Sequence, residues 1–313
     1  MSSGSAQMSD ALVLITGANG FLGRHVQRAF TLEGVATLTP SRQLLDLTKA
    51  DAVEAYITAH RPSHVVHLAA ACGGIGANIE QPAHFLHANT VMGLNLLEAS
   101  RRQAVSKFLL ISTTCAYPEG AAMPLDESTI WDGVPTSATR AYGLAKRFLH
   151  EAIVQYKRQY GLDGSVLIPA NLYGPGDHYD ERSHVVAAMI RRFVEAESSG
   201  LASVTNWGTG IATREFLHVR DAARAVLLAC FGLTHEQPVN IGTGVETSIR
   251  ELAHTISQIA GYDGEIRWDH TKPNGQPRRC LNTARASEFG FKSSIDLRDG
   301  LAETIADYKA IIA

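Results

Sequence analysis

A tyrosine and a lysine stand four residues apart in the segment Tyr142-Gly-Leu-Ala-Lys146. On a helix this spacing puts both side chains on one face, where the ammonium group can lower the pKa of the phenol. Such a phenol can donate a proton to a carbonyl oxygen or accept one from an alcohol. Thr113 and Cys115 follow the apolar run Phe108-Leu-Leu-Ile111, which is typical of a buried strand. The Thr113 hydroxyl can hold the same substrate oxygen, and Cys115 is expected to face the same cleft and to offer a second chemistry.

The scaffold for these side chains is predicted from apolar runs that alternate with amphipathic stretches. The predicted strands cover residues 11–16, 35–39, 65–70, 108–112 and 165–169. The predicted helices cover about 24–30, 49–59, 89–102 and a long segment opened by Tyr142. Strands that alternate with helices imply right-handed crossovers, and hence an α/β fold with a Rossmann-type, doubly wound parallel sheet.

The regular alternation of predicted strands and helices ends after Pro169. Asn171-Leu-Tyr-Gly-Pro-Gly-Asp177 is predicted as a turn-rich loop at the carboxyl end of a strand, where ligands of open α/β sheets bind. Later helical segments are separated by short strands and loops, as in a smaller C-terminal α/β lid that binds substrate. The predicted organisation is therefore a flexible tail (1–10), a Rossmann domain (11–170) and a substrate-binding domain (171–313) that sends a strand back to the first domain.

Composition excludes several classes of partner. A net charge of −3 over 313 residues provides no general basic surface for nucleic acid. The longest apolar stretches, such as residues 225–231, are too short to span a bilayer, and the first ten residues lack the features of a signal peptide. The four cysteines show neither a metal-binding nor a disulfide spacing, so no metal and a cytoplasmic location are expected.

A dinucleotide-binding loop is predicted from Gly17-Ala-Asn-Gly20-Phe-Leu-Gly23, which follows a strand and opens a helix. The region 37–42 carries Arg42 and no acidic residue, which favours a 2′-phosphate and hence NADP over NAD, although a solvated loop arginine is the plain alternative. Asp46 either accepts from the adenine amine or caps the next helix. The residues predicted to bind the cofactor are Gly17, Asn19, Gly20, Phe21, Leu22, Gly23, Arg42, Asp46, Leu47, Leu68, Ala69, Ala70, Tyr142, Lys146, Asn171 and His184.

Taken together, these motifs resemble the extended short-chain dehydrogenase/reductase family. Within it the chain is most similar to the GDP-L-fucose synthases, the 3,5-epimerase/4-reductases of GDP-4-keto-6-deoxymannose. The segments that carry this similarity include Gly73-Gly-Ile75, Cys115-Ala-Tyr-Pro118, Ser183-His-Val185, Arg214-Glu-Phe-Leu-His-Val219 and Lys272-Pro-Asn-Gly-Gln-Pro-Arg278.

The resemblance implies a role for each site residue. Cys115 would be the base and His184 the acid that invert C3 and C5, both acidified by the 4-keto group. Tyr142 would protonate the oxygen during reduction at C4, with Thr113 bonded to that oxygen and Lys146 beside the nicotinamide ribose. A nucleotide-sugar pocket and a homodimer formed through helices that flank the sheet are also implied. The pocket residues would be Asn171, Arg192, Trp207, Arg214 and Arg279.

Several departures from the family pattern leave alternatives open. Asn19 replaces a usual arginine, the loop before Gly73 is shortened to Cys72, and Asn274 replaces a usual aspartate. Such changes are compatible with a nucleotide-sugar epimerase alone or with a 4-ketoreductase alone on another 4-keto sugar. A non-catalytic dinucleotide sensor is a fourth interpretation, but it has no need of Thr113, Tyr142 and Lys146.

Overall fold

The computed structural model describes Met8 and residues 10–180, 183–272 and 274–313. Nine α-helices have both ends in the described part of the chain, besides four short 3-10 helices: α1 Phe21–Leu32, α2 Ala50–His60, α3 Ile75–Glu80, α4 Pro82–Arg102, α5 Arg140–Tyr160, α6 Val185–Ser198, α7 Val219–Gly232, α8 Ile249–Ala260 and α9 Leu297–Ile312. The strands are β1 Leu12–Thr16, β2 Ala36–Leu38, β3 His64–His67, β4 Lys107–Ile111, β5 Gly164–Pro169, β6 Asn171–Tyr173, β7 Ser203–Trp207, β8 Thr213–His218, β9 Val239–Ile241, β10 Glu246–Ser248 and β11 Glu265–Asp269.

The central sheet contains six parallel strands in the order β2-β1-β3-β4-β5-β9. Its inner strands are buried on both faces, which explains their continuous apolar runs. The strand order reverses between β1 and β3, and ligands of such sheets bind at the carboxyl ends of the strands at this point. The predicted Rossmann-type α/β fold is confirmed.

The second half of the chain contributes to both parts of the fold. β9 pairs with β5 in the central sheet, and α7 packs against α1 and against β4 and β5. Two smaller sheets, β10-β8-β6 and β11-β7, form the rest of this half with α6, α8 and α9. The predicted division at residue 170 stays a prediction. Residues 219–241 pack against the first unit, and α7 also contacts β6 and β8 of the second.

Two predicted elements differ from the structure. Asn171–Tyr173 was expected in a loop but forms β6, because it pairs with Phe216–His218 of β8 far along the chain. The helix expected from Asn89 begins at Pro82, where a proline at the first helical position presets the backbone angle. In the described residues, no helix is long and apolar enough to cross a membrane.

Candidate active site

The glycine loop lies where β1 and β3 end side by side. Gly17 has φ of +74°, and a Cβ there would come within 2.7 Å of the Ala69 backbone nitrogen. A Cβ at Gly23 would come within 2.1 Å of the Gly17 oxygen, so both positions require glycine. Gly20 is the N-cap of α1, and no side chain among the described residues caps this helix start. Its amide groups therefore remain available to an anion such as a pyrophosphate.

The loop after β2 carries the residues predicted to select the 2′-phosphate. Arg42 is exposed, and its charge lowers the pKa of Asp46, although hydrogen bonds from Thr48 are the larger cause. Asp46 Oδ1 accepts from the Thr48 amide at 3.0 Å and from the Thr48 hydroxyl at 2.7 Å. Asp46 thus stabilises the turn before α2 without capping the helix, because Lys49 is the N-cap residue and no described side chain bonds there. The alternative, a contact with the adenine amine, stays a prediction, and Leu47 is buried.

The catalytic candidates of the first half converge at the end of β4. Lys146 Nζ donates to the Ile111 carbonyl at 3.0 Å, and the Thr113 hydroxyl accepts from the Cys115 amide at 3.1 Å. A Cβ at Gly143 would lie 2.2 Å from the Cys115 oxygen, so glycine lets the first turn of α5 approach this loop. The helix that carries Tyr142 and Lys146 is therefore packed directly on the segment that carries Thr113 and Cys115.

The ionisation of Tyr142 differs from the sequence-based expectation. Lys146 Nζ lies 6.0 Å from the centre of the Tyr142 ring. Burial nevertheless raises the pKa of Tyr142, and the nearby thiols of Cys72 and Cys115 act in the same direction. The expectation of a lowered phenol pKa is wrong for this structure, because loss of hydration outweighs the charge of the lysine. Tyr142 is therefore protonated at neutral pH, which is the state that a proton donor needs.

Two buried histidines close to Lys146 are neutral at neutral pH. Burial lowers the pKa of Lys146 to about 8, so the ammonium form still dominates at neutral pH. Burial, assisted by the Lys146 charge, lowers the pKa of His150 to about 3 and that of His67 well below its usual value. The His150 ring lies 2.6 Å from the Ser112 hydroxyl, and the His67 ring lies 2.8 Å from that of Thr16. Lys146 and its chain neighbour Arg147 are the buried cations beside these two histidines.

Three arginines expected at a substrate pocket come from different elements of the second half. Arg279 donates to the Thr114 hydroxyl at 3.3 Å, one residue before Cys115, and to the Gln276 side chain at 2.7 Å. Burial lowers the pKa of Arg214, and the charge of Arg279 lowers it further, which shows that these two guanidinium groups are close. Two adjacent cations favour binding of a polyanion such as a diphosphate.

Arg192 and Trp207 extend this surface. Arg192, on α6, donates to the Thr205 carbonyl at 3.3 Å, in the strand that ends at Trp207. The Trp207 side chain is 69% exposed, and Lys272 Nζ lies 5.7 Å from the centre of one of its rings. Asn274 Oδ1 accepts from the amide and hydroxyl of Thr209, so the asparagine at this position still supplies an acceptor to the loop after Trp207.

Asn171 and His184 lie on either side of the loop that joins β6 to α6. Asn171 Nδ2 donates to the Glu215 carbonyl at 3.0 Å, next to Arg214 on β8. His184 is the N-cap residue of α6 and is exposed. The loop between them contains Asp177, whose carboxyl group is buried.

Sequence reasoning did not assign a role to three residues of this region. Cys72 interacts with Tyr142 and Lys146, Thr114 joins Arg279 to the Cys115 segment, and Asp177 is a buried carboxylate in the loop before His184. The shortened loop at Cys72 was a visible signal. Nothing in the sequence marks Thr114 or Asp177. The partner of Thr114 is 165 residues away in the chain, and the surroundings of Asp177 depend on the path of a loop. Among the described residues, no group of three or more His, Cys, Asp or Glu side chains could hold a metal ion.

Comparison with known proteins supports the predicted family. GDP-L-fucose synthase of Escherichia coli (strain K12) is 37% identical over 309 residues, which cover 95% of this chain and 96% of that protein. A GDP-L-fucose synthetase from Naegleria fowleri bound to NADP has a TM-score of 0.89 at 27% identity, and the match covers 97% of this chain and 94% of that one.

A second solved structure carries the description of a reductase. The GDP-mannoheptose C4 reductase from Campylobacter jejuni with NADP bound has a TM-score of 0.88 at 26% identity, over 96% of this chain and 99% of that one. Residues 13–242 match the family described as NAD dependent epimerase/dehydratase. The predicted resemblance is thereby confirmed, and the chain belongs to the NAD dependent epimerase/dehydratase family.

Proposed function

We propose that the protein is an NADP-dependent epimerase/reductase that converts GDP-4-keto-6-deoxymannose, or a close analogue, into GDP-L-fucose or the corresponding sugar. The observation that carries this proposal is the packing of the Tyr142 helix on the Thr113–Cys115 segment, which brings a proton donor and a thiol to one cleft. Relatives named for this activity support the choice of substrate.

The first half fits NADP. The glycine loop has no room for side chains where the backbone must approach a pyrophosphate, and the start of α1 has free amide groups. Arg42 is exposed at the end of the sheet where the 2′-phosphate would lie. Solved relatives at 26–27% identity hold NADP. When bound, NADPH supplies the hydride that reduces a carbonyl carbon.

Reduction at C4 requires a proton for the carbonyl oxygen. Tyr142 is protonated at neutral pH because burial raises its pKa, so its hydroxyl can donate this proton. Thr113 Oγ1 accepts from the Cys115 amide, which leaves its own hydrogen to donate to the same oxygen. Lys146 supplies a buried positive charge that stabilises the Tyr142 phenolate left after transfer.

Epimerisation requires a base and an acid on opposite faces of the sugar ring. Cys115, as thiolate, removes the proton from C3 or C5, and the electron pair of the broken C–H bond moves onto the C4 oxygen. Thr113 and Tyr142 stabilise the resulting enolate by hydrogen bonds, as in an oxyanion hole. His184 then donates a proton to the other face of the same carbon. One cleft can serve both reactions because both place negative charge on the same oxygen.

The cations of the second half suit a nucleotide diphosphate. Arg214 and Arg279 are close together, and Arg279 is joined to the segment of Cys115 through Thr114. A diphosphate held by these two side chains would place the attached sugar beside the thiol. Trp207 offers an exposed indole on which a base or sugar can stack.

A reductase without epimerase activity is the second candidate. It is favoured by the Campylobacter jejuni relative described as a C4 reductase and by the shortened loop at Cys72, beside Tyr142. In that case the same Tyr142 and Lys146 would act, and Cys115 and His184 would have no role in proton exchange.

Incubation with GDP-4-keto-6-deoxymannose in D₂O, with and without NADPH, tests the proposal. We expect deuterium at C3 and C5 without NADPH, and oxidation of NADPH when it is added. Oxidation without deuterium uptake would establish the reductase alone, and uptake without oxidation would establish the epimerase alone. No reaction on either count, with this and related 4-keto sugars, would contradict both enzyme assignments.

We also propose that the protein is a homodimer formed through α4 and α5. Leu86 on α4 and Leu144 and Phe148 on α5 are exposed apolar side chains on two helices that pack together along the sheet. Sedimentation equilibrium should give a dimer for the wild type and a monomer for Phe148→Asp, whereas a wild-type monomer would contradict the proposal. The cytoplasmic location expected from the sequence stays a prediction.

A further inference from the structure

A buried carboxylate lies in the loop that leads to His184. Asp177 is only 8% exposed, and its Oδ1 accepts from the His178 amide at 2.7 Å. Its other oxygen, Oδ2, is buried and has no hydrogen-bond partner among the described residues. The mechanism described above makes no use of this group.

The surroundings of the loop hold this carboxylate in place. The Gly176 amide donates to Asp307 Oδ2 on α9 at 2.8 Å, and Arg24 of α1 donates to the Gly176 carbonyl at 2.6 Å. His25 of α1 contacts the Pro175 carbonyl at 2.8 Å. The loop is therefore tied to two helices immediately before Asp177, which limits the freedom of the carboxylate to turn towards water.

A buried carboxylate oxygen without a donor is costly unless the group is protonated or lies near a cation. Burial raises the pKa of Asp177, whereas the positive charges of His184 and His178 lower it. The side chains that act on this carboxylate are thus the two imidazoles and the Tyr179 phenol, since Arg24 is bonded to the Gly176 carbonyl and Asp307 to the Gly176 amide. His178 is its chain neighbour, and His184 is the proposed proton donor.

The position of His184 gives this carboxylate a task. His184 is the N-cap of α6, a helix of 14 residues, and the positive end of a helix dipole disfavours a protonated imidazole. A general acid must nevertheless be protonated before it can donate its proton to the sugar carbon. A carboxylate beside the ring offsets the dipole, orients the imidazole and favours its protonated form.

We infer that Asp177 is a positioning residue for His184, which holds the ring and stabilises its protonated state for the epimerisation. This inference rests on the proposed function. It separates the two activities of the cleft, because the reduction depends on Tyr142 and Lys146 and does not use His184 as an acid.

The test compares Asp177→Asn with Asp307→Asn, which changes the other carboxylate at this loop. Deuterium uptake from D₂O without NADPH is measured against pH. For Asp177→Asn we expect the loss of uptake at high pH to begin ~1 pH unit lower, with a tenfold lower rate on that limb. NADPH oxidation with a 4-keto sugar that is already epimerised should stay within twofold of wild type. Asp307→Asn should leave the pH profile unchanged.

An NMR titration of the histidine ring signals, with His184 assigned through His184→Gln, provides a readout independent of the substrate. In Asp177→Asn the His184 midpoint should move to lower pH, and an unchanged midpoint would overturn the inference. A wild type that takes up no deuterium would contradict the proposed function, while the titration would still decide the role of Asp177. If Asp177→Asn does not fold, Asp177→Ser is titrated in its place, with the same two outcomes.

Discussion

Tyr142 and Lys146 lie on a helix of 21 residues whose first turn packs against the Cys115 backbone, and Lys146 is bonded to the end of a central strand. Arg192, Arg214 and Arg279 instead come from three separate segments, and each is half-buried. Their hydrogen-bond partners among the described residues are backbone carbonyls, the Gln276 side-chain oxygen and the Thr114 hydroxyl rather than carboxylates. We call Thr113, Tyr142 and Lys146 the redox group, and Arg192, Arg214 and Arg279 the arginine group.

The difference between the groups follows from what each must do. A proton donor works only within a narrow geometry, so its helix and strand are packed before any substrate arrives. A polyanion is held by charge over several contacts, and arginines without carboxylate partners keep their charge available for it. The redox group should therefore respond to substitution in catalytic rate, and the arginine group in substrate affinity.

Removal of the Tyr142 hydroxyl should produce the largest effect. In Tyr142→Phe the ring remains, but the proton donor to the C4 oxygen is lost. We expect NADPH oxidation to fall by ~10²–10⁴-fold, in the range for loss of a general acid. Some deuterium exchange at C3 and C5 should remain. Tyr156→Phe, on the same helix and bonded to Glu98, serves as the control. Retention of the oxidation rate by Tyr142→Phe would remove this residue from the reduction.

Substitution of Cys115 should have the converse effect. Cys115→Ser replaces a thiol by a much weaker acid, so we expect deuterium exchange to fall by about 10²-fold or more. Reduction of an already epimerised 4-keto sugar should continue. Cys72→Ser is the matched control, since both thiols interact with Tyr142. If exchange stops in Cys72→Ser and persists in Cys115→Ser, the base is assigned to the wrong cysteine.

The burial of Lys146 should appear in the pH dependence of stability. The pKa of Lys146 falls from 10.5 to about 8 in the folded protein because of burial. Between these values the unfolded chain binds a proton that the folded protein does not, so the free energy of unfolding rises with pH. This contribution is complete above the unfolded pKa and is lost as the pH falls through about 8.

Urea unfolding of wild type and Lys146→Met measures this contribution. The difference in their free energies of unfolding should change in favour of wild type by ~3 kcal/mol from neutral pH to above 10.5. A difference that is independent of pH would show that the ammonium group is hydrated, contrary to the packing of the redox group.

Substitution in the arginine group should have the smallest effect. Arg214→Met removes one cation that faces the diphosphate, and we expect KM for the nucleotide sugar to rise by about tenfold with little change in kcat. Arg267→Met is the control, because Arg267 is exposed and paired with Glu265. A fall in kcat at unchanged KM would place Arg214 in the chemical step and remove the contrast between the two groups.

The sequence predicted the parts of the fold that depend on local patterns. The glycine loop and the buried strands around it follow from the three glycines and continuous apolar runs, which are typical of a parallel sheet. β6 was missed because three residues in a turn-rich segment become a strand only by pairing with β8, about 40 residues away in the chain. Pairing of this kind leaves no periodicity in the sequence.

In the candidate site too, properties that depend on long-range packing were not visible in the sequence. The residues of the redox group were found from their types and spacing, but the direction of the Tyr142 pKa shift was not, because it depends on burial by the surrounding fold. Asp177 could not be recognised either. Its significance lies in a buried oxygen without a partner among the described residues and in its nearness to His184.

Product analysis by NMR after complete reaction of GDP-4-keto-6-deoxymannose with NADPH in D₂O tests the central claim most directly. If the redox group and the Cys115–His184 pair act on one substrate, the product is a GDP-6-deoxy-L-galactose with deuterium at both C3 and C5. A GDP-6-deoxy-D-hexose with hydrogen at both carbons would show reduction alone, and would contradict the account of Cys115 and His184.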